Sequence, residues 1–302
     1  MNLLITGATG FLGRVLVKSL NKDGHSIKII TRNINNASNL LGSDFDFYKW
    51  DPTTLKPPIE AINNTDVIVN LMGENVGGIW LPYKKKAIHQ SRQVGTKNLV
   101  EAINKADSKP PVLISASAVG YYGNRGDEKL IESSEPGKNF LSKVCKDWED
   151  QANSAAESGA RVVTLRFAPI VGPSGGFLTQ QLPIAKLGLS GPLGSGKQWW
   201  PWVHIDDAIG IIKYVLNNQI SGPVNVVSPK PIDQITFSKA LAGFYNRPAI
   251  LPAPSFAIRM ILGGFADELL FSRKVIPQKA LDTGFKFKFV DINEAIKASI
   301  KR

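Results

Sequence analysis

Thr6-Gly7-Ala8-Thr9-Gly10-Phe11-Leu12-Gly13 separates an apolar run at 3–6 from a stretch, 11–20, whose apolar residues recur at helical spacing. Strand, loop and helix follow in that order. Glycines spaced G-x-x-G-x-x-G at such a junction serve separate ends, since the first allows the tight turn, the second lets backbone approach a pyrophosphate, and the third lets helix pack on strand. The helix N-terminus turns its free N–H groups toward the anion. Gly7, Thr9, Gly10, Phe11, Leu12 and Gly13 are therefore candidate dinucleotide-binding residues.

A second strand is predicted at 27–31, after the turn at Asp23-Gly24, and further apolar runs lie at 45–50, 67–71, 112–115, 162–167 and 224–227. Helical patterns at 93–106, 140–157 and 206–216 separate several of them. Such alternation predicts an α/β fold, a parallel sheet with helices on both faces. Past Ser228 no further buried strand is evident, three prolines fall in 247–254, and helices are predicted around 256–262 and 292–300. The expected division is a nucleotide-binding domain at 1–228, with a cleft-forming insertion near 172–204, and a small, mainly helical domain at 229–302.

With 302 residues, 43% hydrophobic and 20% charged, the chain has globular composition. No apolar run approaches the ~20 residues of a bilayer span, so no membrane partner is expected. The net charge is 36 − 25 = +11, yet the positive residues are spread and the one dense run is 84–86. No nucleic-acid module accompanies them, and the excess suits anionic small molecules such as nucleotides. A lone cysteine, Cys145, excludes an internal disulfide framework and fits a reducing compartment. With His25, His89 and His204 far apart, no metal site is expected. Met1 runs directly into a strand with no signal or transit segment, so a cytoplasmic location is expected.

The end of the second strand selects the dinucleotide. An acidic residue there would bind the adenosine ribose of NAD, but this chain has Thr31-Arg32-Asn33. A guanidinium pairs with a 2′-phosphate, which a carboxylate would repel, so NADP(H) is the expected cofactor. A solvated surface arginine is the alternative. Asn70-Leu71-Met72-Gly73-Glu74 closes the fourth strand with small or apolar backbone suited to the ribose and pyrophosphate, and Trp50-Asp51-Pro52 is either an adenine-side contact or an ordinary turn.

Together with Ser91-Arg92, the run 115–123 (SASAVGYYG), 166–176, 202–207 (WVHIDD), Val275-Ile276-Pro277 and Gly284-Phe285, these stretches span nearly the whole chain. The chain resembles an extended short-chain dehydrogenase/reductase, more narrowly the atypical epimerase-like group with a small C-terminal domain of unknown function. The resemblance implies a doubly wound Rossmann sheet of about seven strands and contacts to NADP from Thr31, Arg32, Leu71, Met72, Arg92 and Ile170. That group is commonly labelled as nucleotide-sugar epimerase without an established substrate. The partner expected is an unidentified small molecule.

The superfamily's Tyr-x-x-x-Lys pair, in which lysine helps a phenol exchange a proton with substrate, is missing. None of the six tyrosines has a lysine four places on. Aligning through Glu149 puts Leu141 and Cys145 at the two positions; aligning through Ser142-Lys143 puts Asn139 at the tyrosine. Candidate substitutes are Ser117, which matches the superfamily's upstream serine, with Tyr121 and Tyr122 just beyond it. Arg92 stands where the superfamily has a helix asparagine, and its charge suits a phosphate or an anionic substrate.

The segment 191–198 imitates a phosphate-binding loop, but Gln198 replaces the magnesium-binding hydroxyl and no strand feeds it. It is expected to be a flexible lip of the substrate cleft. Trp199, Trp200 and Trp202 after it either stack on substrate or pack between domains, with His204 and Asp206 orienting the segment. Two functions remain open: an NADP(H)-dependent reductase or epimerase-like enzyme acting on a polar carbonyl or hydroxyl compound, and a non-catalytic NADP(H)-binding module that regulates or docks a partner.

Overall fold

The structure is a computed structural model that describes residues 1–173 and 175–300. In chain order the elements are β1 (Asn2–Thr6), α1 (Phe11–Lys22), β2 (Ser26–Thr31), α2 (Ile34–Leu41), β3 (Asp46–Lys49), α3 (Ile59–Ile62), β4 (Val67–Asn70), α4 (Pro82–Lys105), β5 (Val112–Ala118), β6 (Lys129–Leu130), α5 (Phe140–Asn153) and β7 (Arg161–Phe167). Then come β8 (Ile170–Val171), α6 (Gly176–Lys186), β9 (Val203–His204), α7 (Ile205–Asn217), β10 (Gly222–Val226), α8 (Gln234–Phe244), α9 (Ser255–Leu262), α10 (Ala266–Leu270), β11 (Lys274–Val275), α11 (Gln278–Asp282) and α12 (Ile292–Ile300).

Seven parallel strands form one sheet in the order β10-β7-β5-β4-β1-β2-β3, which is the doubly wound arrangement. Alternate residues of each strand serve opposite faces. Leu3 and Ile5, with Val67 and Val69, pack toward α1 and α7, whereas Leu4 and Ile68 join Leu99 and Ile103 of α4. Strands buried on both sides read as continuous apolar runs, which is why the sequence exposed them so clearly. The order reverses between β1 and β4, and there the C-terminal strand ends open a crevice.

Three expectations are revised by this architecture. Helix α4 begins at Pro82 rather than Gln93, because the basic first turns carry few apolar residues to announce it. Helix α5 ends at Asn153 and tightens into a 3₁₀ turn over Ser154–Ser158. A strand does follow Ser228: β11 pairs in parallel with β6. Two residues are too few to show a periodicity.

Helices α6, α8 and α12 enclose a second core around Trp200, Trp202, Phe237 and Ile296. Trp200 sits edge-on to Phe177 and Phe237 at 5.0 and 5.2 Å, so packing, not substrate stacking, occupies this indole. His204 caps α7, its Nδ1 accepting from the Asp206 N–H at 3.1 Å. The 191–198 segment is pinned rather than flexible. Gln198 Nε2 donates to Leu193 O and Leu269 O, Leu193 N–H donates to Gln234 Oε1, and Gly194 N–H donates to Ala253 O. Among the described residues no helix is long and apolar enough to cross a membrane, and no cluster of His, Cys, Asp or Glu could hold a metal.

Candidate cofactor site

A groove of about 240 Å³ lies over the strand-order reversal, lined by Thr6 to Gly10, Ile30 to Arg32, Trp50 to Thr53, Leu71 to Glu74, and Ser91. Its floor depends on absent side chains. Gly7 has φ +68°, and a Cβ there would come within 2.6 Å of Leu71 O. On Gly13 a Cβ would fall 2.3 Å from Gly7 O, so only glycine lets α1 press this closely on the loop. Gly10 caps α1 with no side-chain hydrogen bond, and no acidic residue occupies the first turn. The helix start is thus left to an incoming anion.

Beneath the groove a buried amide ties the loops together. Asn70 Oδ1 accepts from Thr6 Oγ1 at 2.8 Å and from the Met72 N–H at 3.4 Å, while its Nδ2 donates to Thr96 Oγ1 and Ser115 Oγ. All four polar side chains are buried. Because the carboxamide's donors and acceptor are both used, β1, β4, α4 and β5 are held in one register at the ends that form the site.

At the far end Arg32 is exposed and makes no ion pair among the described residues. Asp51 shares that mouth. Hydrogen bonds from the Thr53 N–H and hydroxyl, at 3.1 and 2.9 Å, hold its carboxyl below the usual range, with a smaller contribution from Arg32. A free guanidinium beside a glycine-lined anion cradle fits a dinucleotide with an added phosphate.

Of the sequence candidates, Gly7, Thr9, Gly10, Thr31, Arg32, Asp51, Leu71, Met72 and Gly73 line the groove. Phe11, Leu12, Gly13, Arg92 and Ile170 do not. Leu12 packs into the core. The Phe11 ring is enclosed by Gly172, Gly175 and Gly176, where added Cβ atoms would approach it to 2.9, 2.3 and 2.8 Å. Ile170 precedes that turn on β8. Arg92 lies behind Gly73: its Nη1 donates to Glu74 O and Ile88 O at 3.0 and 3.1 Å, and its guanidinium is 4.9 Å from the Trp148 ring. Burial lowers its pKa, and it forms no ion pair among the described residues. Sequence reasoning did not single out Ile30, Thr53 or Ser91 as individual contacts; β2 alternation was the available signal for Ile30.

The three catalytic candidates occupy an internal polar network instead of the groove. Ser117 Oγ donates to Glu149 Oε1 at 2.6 Å, and Glu149 is held by Arg166 through Nε and Nη2, both at 2.8 Å. Tyr122 is fully buried, donates to Asn225 Oδ1 at 2.6 Å and accepts from Arg166 Nη1 at 2.9 Å. Burial pushes its phenol far above the ordinary value. Tyr121 is half-buried with Arg166 3.6 Å from its ring centroid, and burial raises its pKa too. Ser117 and Tyr122 thus satisfy a buried ion pair, a role that nothing in their local sequence announces.

The positions named by the two registers on α5 differ in burial. Lys143 is exposed and Asn139 caps the helix, accepting from the Ser142 N–H, whereas Leu141 and Cys145 are buried against Gly120. The inward positions hold a hydrocarbon and a thiol pushed up to about 12 by burial, neither able to exchange a proton near neutral pH.

Sequence comparison agrees with this geometry. The model of the NAD dependent epimerase/dehydratase family matches residues 3–227. The chain belongs to that family. Residues 253–299 match a further family model, a domain of unknown function termed DUF1731. Among epimerase-family relatives, the chloroplastic SDR39U1 homolog of Arabidopsis thaliana is 35% identical over 99% of this chain and 86% of its own length. YfhF of Bacillus subtilis (strain 168) is 34% identical over 98% of this chain and 97% of its own length. The crystal structure of human epimerase family protein SDR39U1 (isoform 2) with NADPH superposes with a TM-score of 0.88 at 29% identity, covering 100% of both chains.

Proposed function

We propose that the protein binds NADP(H) in this groove and acts as an epimerase-like reductase on a polar carbonyl or hydroxyl compound seated between the C-terminal strand ends and the 229–302 segment. The observation that carries the reading is Arg32: an exposed guanidinium at the end of β2 that makes no ion pair among the described residues, beside a cradle that only glycine can form. The human relative's NADPH supports it. When bound, the nicotinamide would supply or accept hydride.

The chain's own residues then divide the work. Gly7 and Gly10 admit the pyrophosphate, Arg32 neutralises the 2′-phosphate, and Asn70 holds the loops that carry Leu71 and Met72. Leu141 and Cys145 leave the usual proton-transfer positions inert. A non-catalytic NADP(H)-binding module is therefore the second reading, favoured by that pair alone. The buried, unpaired Cys145 suits the reducing cytoplasm.

Fluorescence titration with NADPH and NADH tests the cofactor assignment: NADPH is expected to bind more tightly, and equal affinities would remove the basis of the reading. Incubation of NADPH-loaded protein with a panel of carbonyl metabolites separates the two functions. Substrate-dependent loss of nicotinamide absorbance supports the reductase; tight binding without turnover across the panel supports the module.

A further inference from the structure

Away from the groove, large apolar side chains project from one rim of the C-terminal half. Met260 is 79% exposed, Ile250 72%, Leu187 71%, and Phe256 and Ile261 both 68%. The rim is continuous because two segments run side by side: Leu251 N–H donates to Ser190 O at 3.2 Å, Ala253 N–H to Pro192 O at 2.9 Å, and Gly188 abuts the Arg247 side chain. Helix α9 extends it, with Ile258 its one buried residue. Cations punctuate the same rim. Arg247 makes no ion pair among the described residues, Lys186 makes none either and lies 5.7 Å from the Tyr245 ring centroid, and Arg259 meets Asp267 at 3.3 Å.

We propose that this rim seats on an anionic lipid surface. Contiguous exposed apolar side chains of this number mark an interaction site, and unpaired cations among them call for negative charge opposite. Lys186, Arg247 and Arg259 outnumber Asp267 here, so a second copy docked rim to rim would set like charges opposite one another. Side chains exposed by two thirds or more stand clear of their surroundings, so a rigid protein partner would need a separate pocket for each. The headgroup and acyl boundary of a bilayer receives them without one, and its anionic lipids attract the flanking Lys and Arg. Nothing in this arrangement needs a spanning segment, and the assignment does not depend on what the groove binds.

Flotation of the full-length protein with vesicles tests it. Recovery is expected with phosphatidylcholine–phosphatidylglycerol vesicles and to be much weaker with phosphatidylcholine alone or at high salt. The triple variant Phe256→Ser, Met260→Ser, Ile261→Ser should lose recovery while keeping the parent's far-ultraviolet dichroism and cooperative urea unfolding, which establishes that it is folded. Lys186→Gln with Arg247→Gln should weaken anionic-vesicle binding roughly fivefold per cation removed. No recovery with anionic vesicles, or recovery that the triple variant retains, would overturn the proposal. Sedimentation of the parent as a dimer that the triple variant converts to monomer would overturn it in favour of self-association.

Discussion

Arg32 and Ser117 show how differently two single residues can be tied to the site. The Arg32 guanidinium makes no ion pair among the described residues, so Arg32→Asp should leave folding intact while weakening NADPH by about 10- to 150-fold, the equivalent of a charge-assisted bond of roughly 1.5–3 kcal/mol. NADH, lacking the phosphate, should change little; isothermal titration with both nucleotides reads the difference, and equal losses would refute the pairing. Ser117→Ala acts in the opposite way. It removes the donor to Glu149 at 2.6 Å inside a buried ion pair. A stability loss of about 1–3 kcal/mol in urea unfolding is expected, with unchanged NADPH affinity. The cofactor cradle is legible because glycine spacing and an absent acid are local signals. Ser117 is not, because its partner lies on a helix 32 residues further along the chain, and a buried carboxylate advertises nothing about which hydroxyl will reach it.

At the scale of the element, α5 carries the departure from the superfamily. Its inward face places Cys145, whose thiol is held up to about 12 by burial, against Gly120. Dithionitrobenzoate should therefore label Cys145 only as fast as the protein unfolds. The linkage has a definite sign: the folded pKa lies above the unfolded value of ~8.5, so stability is untouched below about pH 8 and falls as pH rises toward 12, by at most roughly 1.4 kcal/mol per unit. Urea midpoints compared at about pH 8 and about pH 10 should show that fall in the parent more strongly than in Cys145→Ala. Equal slopes would mean the thiol titrates normally. Two registers on this helix are compatible with the sequence; only burial separates them, since Lys143 and Cys145 lie two residues apart and a helix turns about 200° between them.

Across the whole molecule, the 229–302 segment is stitched into the nucleotide-binding sheet. Arg273 Nε donates to Gly123 O, Asn225 Nδ2 to Ile276 O, and the Lys279 N–H to the buried Glu132. Asp207 on α7 accepts from the Lys288 and Phe289 N–H groups at 2.7 and 2.9 Å. Unfolding should accordingly be a single transition in which tryptophan fluorescence and far-ultraviolet dichroism coincide. Two separated transitions would show that the segments fold independently. The sequence marks a change of character at Ser228 but not these crossings, each of which joins one side chain to a backbone group far along the chain and leaves no local pattern.

The enclosure of Phe11 by Gly172, Gly175 and Gly176 binds distant positions into one inheritance. A bulkier residue at any of the three finds an aromatic ring in its way, while a smaller residue at 11 opens a void beside them. Gly172 is also closed off by Ile205, and Gly176 holds a φ of +69°, so position 175 is the one that answers to the ring: relatives with a small side chain at position 11 should be the ones in which position 175 has been released from glycine.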